Sequence, residues 1–110
     1  MTNYSVGHDA EKTAADYLRQ KGYKIIGLNW RTRYCEIDVV AEKAGTVYMV
    51  EVKYRKSKAY GSGLEYVTAK KLQQMKFAAE IWVSHNKWEG NYQLMAIGID
   101  GSDISLVYID

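Results

Sequence analysis

CEIDVVAEKAGTVYMVEVKYR, residues 35–55, decides how the rest of the chain is read. Two valine-rich runs, Cys35–Glu42 and Thr46–Arg55, flank Ala44 and Gly45. Their β-branched content and period-two alternation predict two strands joined by a two-residue hairpin turn. Counting back in step from that turn sets Asp38 opposite Glu51 and Glu36 opposite Lys53, so all four share one face while Val50 and Val52 take the other. Cross-strand partners hold their Cβ atoms about 5 Å apart, where two carboxylates repel by roughly 3 kcal/mol at an effective dielectric of about 20. A positive group is therefore expected between Asp38 and Glu51. Lys53 on the same face is one candidate, a hard divalent cation held by oxygen ligands is another, and the two are compatible.

Outward from the hairpin, the period changes. An amphipathic helix is expected from about Ser5 to Lys21, with Ala10, Ala14, Tyr17 and Leu18 on one stripe and Gly22 as its stop. Tyr23–Trp30 reads as a strand. After the hairpin comes a glycine-bearing loop over Lys58–Gly63, then a second helix over Leu64–Ser84, then strands at Tyr92–Ile99 and Ile104–Ile109. The order αβββαββ predicts an α/β fold (α+β by some schemes): one domain over residues 1–110, with a central mixed β-sheet flanked by helices. One residue breaks the second helix's pattern. At about 100° per residue Lys71 falls within the apolar face, about 40° from Met75, so it must snorkel to water or meet an anion.

Composition narrows the class. In 110 residues, 47% apolar and 25% charged, there is room for one core and little reason to expect disorder. A net charge of +2 permits nucleic-acid binding without arguing for it. The single cysteine, Cys35, rules out an internal disulfide or a CxxC metal site and suits a reducing compartment. With no long apolar run and no basic, apolar leader, a cytoplasmic protein with no membrane partner is expected.

The charges cluster usefully. Glu11, at the edge of the first helix's apolar stripe, is a candidate third carboxylate, or else a residue favoured near a positive helix N-terminus. Arg31 and Arg33 precede the Asp38 strand, and Arg55, Lys56 and Lys58 run off the Glu51 strand, with Tyr54 and Tyr60 interleaved. Such a set is either a solvated surface or a nucleic-acid-binding one. His8 and His85 lack a zinc pattern, and Gly61-Ser62-Gly63 has neither a dinucleotide-loop nor a P-loop ending.

Gly7-His8-Asp9-Ala10-Glu11, Asn29-Trp30-Arg31, Glu36-Ile37-Asp38, Val50-Glu51-Val52-Lys53-Tyr54-Arg55, Tyr60-Gly61, and Val67-Thr68 with Lys71 resemble the YraN-like family of small bacterial proteins. That family looks like a branch of the PD-(D/E)xK nuclease superfamily, close in fold to archaeal Holliday junction resolvases. The resemblance implies a restriction-endonuclease-like fold and a site where Glu11, Asp38 and Glu51 bind Mg²⁺ or Mn²⁺ and Lys53 assists the attacking water. Glu36 and Lys71 would support it. The chain departs from the family at two places: Cys35 stands where glycine is usual, and Gln93-Leu94-Met95 where Arg-Phe-Asp tends to occur.

The function this implies is metal-dependent endonuclease hydrolysis of phosphodiester bonds in DNA, including branched or otherwise structured DNA, with a homodimer allowed. Two other classes stay open at this point: a nucleic-acid-binding module of the same fold without turnover, and a partner-binding scaffold whose charges form structural ion pairs.

Overall fold

The computed structural model describes residues 3–55 and 67–109. Its elements follow the predicted order: α1 (Asn3–Gln20), β1 (Lys24–Arg31), β2 (Glu36–Lys43), β3 (Thr46–Arg55), α2 (Ala69–Asn86), β4 (Asn91–Asp100) and β5 (Asp103–Ile109). The five strands form one sheet in the order β1-β2-β3-β4-β5. Only β3 and β4 run parallel, joined by the crossover through α2; every other neighbouring pair is antiparallel.

Local chemistry explains the boundaries. Gly22, at φ 93°, ends α1 with Gly22 N–H donating to the Arg19 carbonyl and Tyr23 N–H to that of Leu18, both at 3.0 Å. The same turn buries Tyr23 beside Leu18, as this cap usually does. The hairpin turn has φ 52° at Ala44 and 82° at Gly45, so both central residues are left-handed, as a type I′ turn requires. Its register is the one counted from the sequence, from Lys43 opposite Thr46 to Val39 opposite Val50. The second helix begins later than expected. Val67 and Thr68 lie outside it, because the Thr68 hydroxyl accepts the Lys71 N–H at 3.1 Å and caps the helix there. Leu64 and the Lys58–Gly63 loop fall outside the described residues.

Each helix covers one face of the sheet. Ala10, Ala14 and Leu18 of α1 pack on Val39, Ala41, Val50, Met95, Ile97 and Ile99, while Met75, Ala78, Ala79 and Trp82 of α2 pack on Ile37, Val40, Val47, Met49 and Leu94. Along β3 the alternation is strict: Tyr48, Val50 and Val52 face α1, and Val47 and Met49 face α2. Along β2 it breaks at Asp38, since Ile37 packs on the α2 side and Val39 on the α1 side. Asn29, the β1 residue between the Leu28–Val39 and Trp30–Ile37 pairs, is left-handed at φ 51°. The β2–β3 ladder is thus regular at its hairpin end and interrupted where Asp38 sits. No helix among the described residues is long and apolar enough to cross a membrane.

Candidate active site

Asp38 lies just past the last β2–β3 ladder pair. Its carboxylate substitutes for the missing rung, with Oδ2 accepting the Val52 N–H at 2.8 Å. Facing pairs of Asp38 with Glu51 and of Glu36 with Lys53 are therefore not formed as ladder partners: the two strands separate before reaching them, and strict alternation ends at Asp38. Burial pushes the Asp38 carboxyl up to about 7, and the Glu51 charge adds to this; the Val52 hydrogen bond opposes it, and Glu11 and Glu36 contribute smaller increments.

The cation that meets Glu51 is Lys71. Its Nζ stands 2.8 Å from Glu51 Oε2, with the two side chains 35% and 17% exposed, so the lysine misplaced on an apolar helix face has found its anion. Burial works against the ammonium, but the Glu51 hydrogen bond and charge, with Asp38 and Glu36 behind them, outweigh it and hold Lys71 above the ordinary lysine range. Two hollows of about 400 Å³ each meet at this ion pair. One is bounded by Arg31, Thr32, Cys35 and Glu36, the other by Lys53, Thr68 and Lys70.

Lys53 is exposed and stands at the mouth of the second hollow rather than between the two carboxylates. Glu11, half-buried on α1, is near enough for its charge to act on Asp38. Because α1 begins at Asn3, Glu11 is two turns into the helix, beyond the reach of a favourable helix-end charge. Among the described residues no three His, Cys, Asp or Glu groups converge closely enough to hold a metal ion, so Glu11 is not gathered with Asp38 and Glu51 into a ready-made cage.

Other candidates take different places. Glu36 is exposed and pairs with Arg31 at 3.5 Å, away from Lys53. Arg33 is exposed, its guanidinium 5.9 Å from the Tyr34 ring. Arg55 is anchored within the fold: its Nε donates to Asp100 Oδ1 at 3.0 Å, and the Asp100 side chain is only 1% exposed. The parallel register sets Arg55 beside Asp100, so this arginine closes the β3–β4 end rather than offering a free charge. Lys56, Lys58 and Tyr60 lie outside the described residues. Cys35 fits without left-handed backbone; its thiol lies 3.3 Å from the Thr32 hydroxyl and packs beside the α2-side core. Met95 is fully buried on the α1 side.

Comparison with known proteins places this sequence in a lineage. The family model described as "Uncharacterised protein family UPF0102" matches residues 10–100. A UPF0102 protein of Trichlorobacter lovleyi is 38% identical over 97% of this chain and 88% of its own length. Another from Syntrophomonas wolfei is 46% identical over 74% of this chain and 70% of its own, and one from Cytophaga hutchinsonii is 34% identical over 100% and 97%. This chain belongs to the UPF0102 family.

Proposed function

We propose that this protein is a metal-dependent endonuclease of the PD-(D/E)xK type that hydrolyses phosphodiester bonds in DNA, working in the cytoplasm. The observation that carries this reading is Asp38: a half-buried carboxylate, held in place by a backbone N–H, that feels the charge of Glu51, the carboxylate at the meeting point of two cation-lined hollows. Burying a carboxylate next to another is costly for a merely structural sheet, and such costs concentrate where charge is used.

The donor set suits a hard cation. Mg²⁺ and Mn²⁺ accept one or two carboxylates and complete their shell with water and phosphate oxygens, so Asp38 and Glu51 would hold the ion without a third protein ligand. Bound there, it would polarise the phosphodiester and acidify its water. The chain's own residues divide the remaining work. Val52 N–H fixes the Asp38 carboxylate, Lys53 stands beside Glu51 to orient the nucleophile or meet developing charge, and Lys71 neutralises Glu51 in the resting protein. Arg31 and Arg33 approach the phosphates on the other side.

The Lys71–Glu51 ion pair favours a second reading, a nucleic-acid-binding module without turnover, because an ammonium already satisfies one of the two carboxylates. Two measurements separate the readings. Mn²⁺ titration should show binding that is lost in Asp38→Ala, and Mg²⁺- or Mn²⁺-loaded protein should cut linear, nicked or four-way DNA, with Glu51→Gln and Lys53→Ala inactive. Uncut DNA, or cutting that survives those substitutions, overturns the hydrolase reading; salt-dependent DNA binding without cutting establishes the second.

A further inference from the structure

We infer that the groove beside the carboxylates holds an unpaired nucleotide, so that the nucleic acid this protein binds is single-stranded or splayed at the point of contact rather than intact duplex. The inference rests on the reading of the site as a nucleic-acid one and specifies its substrate. It starts from two side chains that neither the core nor the proposed chemistry uses. Tyr34 is 76% exposed in the turn between β1 and β2, and Phe77 is 46% exposed on α2. Both line the same groove of about 400 Å³, which ends on Glu51 and Lys71 and carries Arg31 on its wall. Apolar rings this exposed, on a short turn and a helix that otherwise buries its aromatic Trp82, form a surface that wants a flat apolar partner.

The charges beside the rings say which partner. Arg31 lies on the groove wall, where its 3.5 Å pairing with Glu36 is exposed and readily exchanged for a phosphate, and the exposed Arg33 guanidinium lies 5.9 Å from the Tyr34 ring, while Lys71 stays with Glu51. An anion with a flat apolar body is a nucleotide: its phosphate meets the cations and its base the ring faces. In a duplex the base faces are already covered by their neighbours, leaving the rings little to stack on, whereas an unpaired base offers its whole π-face. The groove runs to the carboxylate pair, so a base seated between Tyr34 and Phe77 would bring an adjoining phosphate toward Asp38 and Glu51.

The test uses the full chain in a chelating buffer, where nothing is cut, and fluorescein-labelled oligonucleotides: a pyrimidine-rich strand and the same strand in a blunt duplex, titrated by anisotropy at matched salt. The single strand should bind at least about tenfold tighter. Tyr34→Ala and Phe77→Ala should each weaken it by about five- to hundredfold, as expected for loss of one stacked base, while Tyr34→Trp keeps it. The salt slope should hold in the ring variants and fall in Arg31→Ala, because stacking releases no counterions. Equal affinity for both oligonucleotides, as for rings that dock a protein, overturns the inference, as does single-strand binding indifferent to both alanine variants or no binding at all. Because no cleavage is read, failure of the hydrolase reading leaves this result standing; cutting of duplex that ignores Tyr34 and Phe77 would preserve that reading and sink this one.

Discussion

Replacing Asp38 with asparagine isolates the cost of keeping a carboxylate in this place. The Asp38 carboxyl gives up its proton near 3.8 when free and at about 7 in the fold, the shift coming first from burial and then from Glu51. At about 1.4 kcal/mol per pH unit, that interval corresponds to a ceiling of about 4 kcal/mol. The sign follows from the raised value. Below about pH 4 folded and unfolded chains both keep the proton and the charge costs nothing; between about pH 4 and pH 7 the unfolded chain ionises first, so stability falls as pH rises; above about pH 7 the penalty is complete. The substituted asparagine keeps an oxygen for the Val52 N–H and never ionises, though its amide needs a partner of its own, a cost of about 1 kcal/mol. Urea unfolding followed by circular dichroism, with chelator present, should find Asp38→Asn no more stable than wild type near pH 4 and about 2–3 kcal/mol more stable near pH 8. Taking the difference between the two proteins cancels every titrating group except those that feel the Asp38 charge, Glu51 foremost. A difference that stays flat across this range would refute the burial and charge argument for Asp38.

Lys71→Met should cost about 1–2 kcal/mol, since its partly exposed ammonium donates to the Glu51 carboxylate and offsets its charge, and should tighten Mn²⁺ binding about tenfold by leaving two carboxylates uncompensated; calorimetric titration reads both the metal constant and any failure of that expectation. Arg55→Ala should cost about 1.5–3 kcal/mol by removing a charge-assisted hydrogen bond from the buried Asp100 carboxylate, and a double-mutant cycle with Asp100→Ala should measure a favourable coupling between the two. Ala44→Asn, at φ 52° in the hairpin turn, should stabilise by about 0.5–1 kcal/mol in thermal unfolding, with no change in metal binding.

The features of this fold that were legible in the sequence are those set by near neighbours. Gly45 marks a turn by its backbone freedom, and from a two-residue turn with Ala44 the register to Val39 and Val50 follows by counting. Gly22 ends α1 for the same local reason. Lys71 was legible as an anomaly, because an ammonium on an apolar stripe demands an anion, although the stripe alone could not name Glu51. What stayed hidden depended on strands far apart in sequence. Arg55 belongs to a run of basic residues that reads as surface, and only the parallel β3–β4 register, made through a helical crossover, brings it to Asp100. Glu36 was placed by assuming that alternation continues through Asp38; a side chain standing in for a backbone rung, with a left-handed Asn29 opposite, has no signature in a period-two pattern.

That failure of alternation bears on the chemistry. A regular β2 would have paired Asp38 with Glu51 across a closed ladder, both fixed by sheet geometry and neither reached by a substrate without breaking hydrogen bonds. Because the ladder stops at Val39 and Val50, Asp38 is held by a single N–H, while Glu51 leans toward α2 and its Lys71. The two carboxylates are thus secured by different elements, one by a strand and one by a helix. Met95 fills the adjoining α1-side core completely, while Cys35, settled against Thr32, lines the hollow that meets Glu51. Release of Lys71 alone would free Glu51 without disturbing the Asp38 anchor, which makes α2, rather than the sheet, the element whose small movement would change what this site can bind.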